Sequence, residues 1–381
     1  MSMQSTAVSP GAAAPAGQPP STEALVDWAC ALHQCAQTAH RAGDFARAEQ
    51  RTREALQAME RGAGPEHPDI ANLLLSLTGL LEDQARYDEA ETACRQAVAL
   101  LTALPRGLGP DVDRLSVQAL CRLGQRLCSS AVYDEAEACL LTALDRAWAD
   151  FGSESVELAE VLNALGVLGK YSGRFEAAEA WYLQALAIFE AVHGPDHLDL
   201  ATLYHNLGGL AHARERYAEG EPYARRSVAI RQAALGRDHP LVAADIAALA
   251  ALLHGSGQLE EAEVLYRRAL QAFELAFGPE HYEVAFNLGN LAALLHQSGD
   301  VRQAESLYHR AIVIQERLLG EQHPEVALAL SNLAVLSAEQ GRLGEAEELY
   351  RRARTIFAET LPADHPYRIA CDENFACLQG C

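Results

Sequence analysis

From residue 22 onward, apolar residues recur three and four positions apart in stretches of helical length, each closed by a short polar or glycine-containing break. Leu203, Leu207 and Leu210 make one such stripe, and Ala262, Tyr266 and Ala269 another. The stretches come in pairs, which predicts antiparallel helical hairpins. The pairs themselves repeat. The turn Gly194-Pro195-Asp196-His197 returns as Gly236-Arg237-Asp238-His239, Gly278-Pro279-Glu280-His281, Gly320-Glu321-Gln322-His323 and Pro362-Ala363-Asp364-His365, with a histidine spacing of 42 residues each time. Weaker copies stand at Gly64-Pro65-Glu66-His67-Pro68, Gly109-Pro110-Asp111 and Gly152-Ser153-Glu154, spaced by 45, 43 and 42. A fixed period in this range marks stacked supersecondary units. The expectation is an all-α chain of about eight hairpins, at residues 22–63, 64–108, 109–151, 152–193, 194–235, 236–277, 278–319 and 320–361, followed by a C-terminal cap over 362–381.

Recurring positions indicate which contacts the helices make. One column of the second helices reads Ala48, Ala90, Ala136, Ala178, Gly220, Ala262, Ala304 and Ala346, and a second, seven residues on, reads Ala55, Ala97, Ala143, Ala185, Ser227, Ala269, Ala311 and Ala353. Small side chains there let helix axes approach to the close end of the usual range of about 8–10 Å. Leu77, Leu123, Leu165, Leu207, Leu249, Leu291 and Leu333 recur on the first helices, and Tyr182, Tyr266, Tyr308 and Tyr350 on the second. Gly43, Gly173, Gly257, Gly299 and Gly341 are placed to end first helices in the left-handed conformation. Asp196 and Asp238 offer N-caps to the helices that follow. Pro222 is expected in the first turn of its helix, where no backbone hydrogen bond is lost.

Composition narrows the function classes. Residues 1–21 are Ala, Pro, Gly and Ser with little to bury, so a disordered tail is expected, and it lacks the pattern of a secretion signal. No stretch has the apolar length of a membrane span. A net charge of −22, with Lys170 the single lysine, argues against nucleic-acid binding. Cysteines 30, 35, 94, 121, 128, 139, 371, 377 and 381 form no CxxC pair, which fits reduced thiols and a cytoplasmic location.

Segments such as Leu203-Tyr204-His205-Asn206-Leu207-Gly208, Ala285-Phe286-Asn287-Leu288-Gly289-Asn290-Leu291-Ala292 and Leu330-Ser331-Asn332-Leu333-Ala334 are each followed by a glycine-centred turn and a run like Glu261-Ala262-Glu263-Val264-Leu265-Tyr266-Arg267-Arg268-Ala269-Leu270. They resemble the 42-residue tetratricopeptide repeats of kinesin light chains and their bacterial relatives, over residues 22 to 361 and most sharply from 152 onward. The resemblance implies a right-handed α-solenoid whose first helices line a concave groove for an extended or helical peptide. It also implies that the asparagine before Leu in the Asn-Leu-Ala or Asn-Leu-Gly pattern clamps the peptide backbone. Carried onto this sequence, the clamps are Asn206, Asn290 and Asn332; Asn163 falls one residue early, while Ala248, Ala164, Ser76, Arg122 and Gln34 replace the amide elsewhere. The same amides could instead bridge neighbouring helices.

A second ladder, His40, His212, His254 and His296, recurs near the end of first helices. Its members lie too far apart to share one metal ion. They read either as imidazoles beside the negative helix end or as groove groups whose charge rises as the pH falls. The turn histidines, including His197, read as turn and cap residues. Other candidate groove residues are His205, Lys170 and Arg122, while Ala244, Ala247, Ala251, Gly209, Gly289 and Ala293 leave the groove shallow-walled. With no phosphate-binding loop, metalloprotease helix or nucleophile motif, no enzyme, cofactor or metal is expected. The function expected is a scaffold that binds a protein or peptide in the groove; the alternative is an assembly subunit that self-associates or joins partners through its edges or convex face.

Overall fold

The structure is a computed structural model that describes residues 21–380. Residues 1–20 of the expected tail, and Cys381, lie outside the described range. The tail's last residue, Ser21, belongs to the fold: its hydroxyl accepts from the Ala24 N–H and caps the first helix.

The described residues are helical throughout, with no strand. The helices are α1 (Thr22–Arg41), α2 (Phe45–Ala63), α3 (Pro68–Asp83), α4 (Tyr87–Ala103), α5 (Pro110–Ser129), α6 (Tyr133–Phe151), α7 (Val156–Tyr171), α8 (Phe175–His193), α9 (Leu198–Ala213), α10 (Tyr217–Leu235), α11 (Pro240–Gly255), α12 (Leu259–Phe277), α13 (Tyr282–Gln297), α14 (Val301–Leu319), α15 (Pro324–Glu339), α16 (Leu343–Thr360) and α17 (Pro366–Gly380). Odd and even numbers are the first and second helices of the hairpins, and α17 is the cap.

The chain divides into two compact halves, Met1–Val192 and His193–Cys381. Within each, a first helix packs on its own second helix, each second helix packs on the next first helix, and first helices such as α5 and α7, or α11 and α13, touch one another. Successive first helices therefore share a face. The cap α17 packs on α16 and α15, with Phe375 edge-on to Tyr350 at 6.1 Å.

Burial follows the columns. All the alanines of the two small columns are fully buried, as is Ser227. Gly220 is small because it must be: a Cβ there would stand 2.7 Å from Leu252 Cδ2. The leucine column is buried in the seven hairpins from the second onward, and truncating one of these leucines to alanine costs about 2–5 kcal/mol. Tyr182, Tyr266, Tyr308 and Tyr350 are also buried, and desolvation raises their phenol pKa. The described cysteines are free thiols, with burial pushing Cys94 up to about 12.

Two local expectations are corrected. The N-cap is the turn histidine itself and not the aspartate before it: the Nδ1 atoms of His197 and His239 accept from the N–H groups of Asp199 and Leu241, at 3.4 and 3.2 Å. The imidazole reaches the free amide two residues ahead, as a capping side chain does. Pro222 lies beyond the first turn of α10, which starts at Tyr217, so it removes an intrahelical bond to the Ala218 carbonyl.

First helices end in a left-handed residue. Glycine fills that position in five hairpins, as at Gly257 (φ 82°), but Ala85, Ala131 and Glu215 hold it at φ 57–59° in three others. A side chain in this conformation costs about 1–2 kcal/mol, offset in part by the entropy that glycine adds to the unfolded chain. Ala131→Gly is therefore expected to stabilise the protein by up to about 1 kcal/mol, and Gly257→Ala to destabilise it by a similar amount, both read from denaturant midpoints.

Candidate functional site

The shared face of the first helices carries the residues that the sequence singles out. In the second half, Asn206, Asn290 and Asn332 are half-buried at equivalent places on α9, α13 and α15. The side chains of Asn290 and Asn332 have no hydrogen-bond partner among the described residues, so neither bridges two helices there. Asn206 is engaged within the structure, as is Asn163 on α7. The wall beside Asn290 is low: a Cβ on Gly289 would meet nothing within 4 Å.

A buried polar cluster stands behind this face. The Asp245 side chain is fully buried, and its Oδ1 lies 2.6 Å from Arg231 Nη1, with Arg231 only 10% exposed. Ser227 Oγ sits 2.6 Å from Asp245 Oδ2 and 2.9 Å from the Ala201 carbonyl oxygen. Arg231 Nη2 also donates to Thr202 Oγ1 at 2.9 Å. The outermost member is His205, 36% exposed, whose Nδ1 is 2.8 Å from Asp245 Oδ1. A carboxylate beside Arg231 only accepts, so Nδ1 carries the proton and Nε2 is left to the outer side. One imidazole on the face is thus fixed in tautomer and orientation by a buried carboxylate.

The histidine ladder serves a different end. His40 Nε2 lies 2.5 Å from Asp83, His254 Nε2 2.7 Å from Gln297 Oε1, and His296 Nε2 2.6 Å from Glu339, each partner being 43 residues on in the next first helix. These three histidines staple neighbouring first helices. His212 is exposed and stands edge-on to Tyr217 at 5.4 Å.

In the first half, Arg122 donates to Glu82 at 2.7 Å and borders a cavity of 430 Å³ together with His33, Gln37, His40, Ser76 and Asp83. His33 Nδ1 is buried there without a partner, and desolvation lowers the pKa of its ring. Lys170, on α7, is half-buried with no carboxylate within 4.0 Å among the described residues; its Nζ lies 5.7 Å from the Tyr171 ring. Desolvation lowers the pKa of its ammonium group.

A tetratricopeptide repeat profile matches residues 28–103, 115–191, 170–219, 199–274, 243–312 and 283–359. The chain belongs to the tetratricopeptide repeat family. A search of the curated proteins returns no match. Among solved structures, a kinesin light chain-like protein of Podosopora anserina with nearly identical repeats is 25% identical, covering 52% of this chain and 94% of that one, with a TM-score of 0.46. The apo form of RapI is 14% identical over 82% of this chain and 81% of its own, with a TM-score of 0.60. A Rap protein complexed with Competence and Sporulation Factor is 16% identical over 82% and 88%, with a TM-score of 0.58. At these identities the Rap proteins share the repeat fold with this chain.

Within this repeat protein, the Asp245 cluster is what sequence reasoning missed, although the signal was present. Ser227 interrupts a column of alanines, Arg231 stands where Phe189 and Phe273 stand one repeat away on either side, and Asp245 stands where Leu203 does one repeat earlier and the buried amide of Asn287 one repeat later. Three polar exceptions at inward positions of adjoining helices mark a specified contact.

Removing one partner of a buried ion pair strands the other. Asp245→Ala is expected to cost about 3–5 kcal/mol, whereas replacing the cluster by its neighbours' residues, Ser227→Ala with Arg231→Phe and Asp245→Leu, is expected to restore most of that loss in urea melts. For Lys170 the sign is also fixed. A folded pKa below the unfolded one means that the ammonium destabilises the fold at neutral pH, a cost that fades as the pH rises past the folded pKa toward the unfolded value of 10.5. Lys170→Met should therefore melt higher than wild type at pH 7, and the difference should shrink as the pH approaches 10.5.

Proposed function

We propose that the protein is a non-catalytic scaffold that holds an extended segment of a partner protein against the first-helix face of its second half. Asn290 and Asn332 clamp the segment's main chain, and His205 makes one oriented polar contact beside them. The observation that carries this reading is the pair of unpartnered amides at equivalent sites on a low-walled face. A primary amide offers donors and an acceptor to a peptide bond without the desolvation cost of a charge, and small walls let a main chain approach. A Rap protein complexed with Competence and Sporulation Factor is built on the same fold, which supports a binding role without fixing the ligand.

The exposed apolar residues Val264, Leu275 and Val313 on α12 and α14, at 65, 76 and 56% exposure, favour a second reading in which the second helices join partners or copies of the chain. The two readings predict opposite outcomes. Asn290→Ala with Asn332→Ala should leave helicity and melting unchanged while removing specific proteins from those that wild type captures in an affinity pull-down. An unchanged captured set, together with self-association in equilibrium sedimentation that the double variant retains, would favour the second reading.

A further inference from the structure

The turn between α8 and α9 differs from its counterparts. At the later turn, Phe277 stacks on the capping His281 with ring centroids 4.2 Å apart. In the same place, 84 residues earlier, stands His193, stacked on His197 at 4.3 Å and 23°. A second imidazole has thus replaced an apolar ring without disturbing the stack. Asp199, two residues into the turn's helix, brings its carboxylate to both: Oδ2 is 3.2 Å from His197 Nδ1 and 3.7 Å from His193 Nε2. All three candidate ligand atoms lie within 4.8 Å of one another.

We propose that His193, His197 and Asp199 form a binding site for a borderline divalent transition metal, with zinc the best match. Tetrahedral coordination with bonds of about 2.0–2.1 Å places neighbouring donors about 3.3–3.4 Å apart, close to the two separations observed. The near-parallel planes of the stack keep the two imidazole lone pairs from converging, and a turn of the partly exposed His193 ring out of the stack aims both at one ion. Two imidazole nitrogens and one carboxylate oxygen are a donor set for zinc, nickel or copper and not for calcium or magnesium. Water completes the shell, since the three side chains are partly exposed at 27, 44 and 48%. The neighbouring cation does not compete: Arg226 is engaged by Asp196 at 2.7 Å and by the Pro195 carbonyl at 2.9 Å. The metal takes the His197 Nδ1 lone pair in place of a cap bond that is already long, at 3.4 Å.

A second group of similar composition, Glu305, His309 and Glu345, fails the same test. Arg342 Nη1 stands 2.7 Å from Glu305 and 3.1 Å from Glu345, so a cation already occupies the space between them.

The test is calorimetric titration of the reduced full-length chain with zinc chloride, repeated with cobalt(II) and read by absorption. The decisive variant is His193→Phe, which installs the residue found at the later turn and should leave metal-free helicity and melting unchanged. The expected result is one binding event in wild type that weakens at least about tenfold in His193→Phe, loss of a ligand costing no less than loss of its supporting partner. Asp199→Asn should weaken it too, and wild-type affinity should fall as the pH is lowered, because imidazole ligates only when unprotonated. The cobalt complex should show no thiolate charge-transfer band. Equal affinity in wild type and His193→Phe, or binding lost only when Cys30, Cys377 and Cys381 are changed to serine, would overturn the proposal.

Discussion

The structure depends on close approach between helices at positions where one partner has almost no side chain. A hairpin has one apolar surface more than it can cover by itself, and the uncovered one is buried only against the next hairpin. The alanine columns permit that approach, and the leucines and tyrosines fill what remains. The exceptions obey the same rule: at Gly220 even a methyl group would collide with Leu252, so the column loses its last carbon. Nearest-neighbour burial also accounts for the cap, because the last hairpin would otherwise expose the surface that Cys371 and Phe375 now cover.

Polar side chains reinforce this packing in two ways. The ladder histidines bond across successive first helices, adding an interaction per junction where the partner is Asp83, Gln297 or Glu339. The turn histidines act locally, each supplying an acceptor to a backbone N–H that the helix start leaves open. One residue type therefore serves two repeated structural tasks, which explains much of the unusual histidine periodicity without invoking a ligand.

Periodicity made the fold legible. The hairpin order, the breaks at Gly43, Gly173 and Gly257, and the burial of each small column follow from residues that recur, since a repeated environment selects the same side chain each time. What did not recur was harder to read. Asp245, Arg231 and Ser227 look like lapses from a consensus until the fold brings them within hydrogen-bond distance around His205. The turn histidines were legible as turn residues, but which atom caps was not, because a side chain's reach depends on backbone geometry that sequence spacing leaves open. Of the candidate face residues, Asn290 and Asn332 prove unpartnered, whereas Asn206 and Arg122 already have contacts within the protein.

The buried carboxylate at Asp245 matters for a reason that stability does not supply. Identical amides one hairpin apart present a translationally degenerate surface, on which a main chain could slide by a whole period and find equivalent contacts. A rigidly aimed imidazole breaks that degeneracy: its place holds Ala247, Gly289 and Ser331 in the other hairpins of the second half, so it gives the proposed binding face an origin from which a bound strand would be aligned.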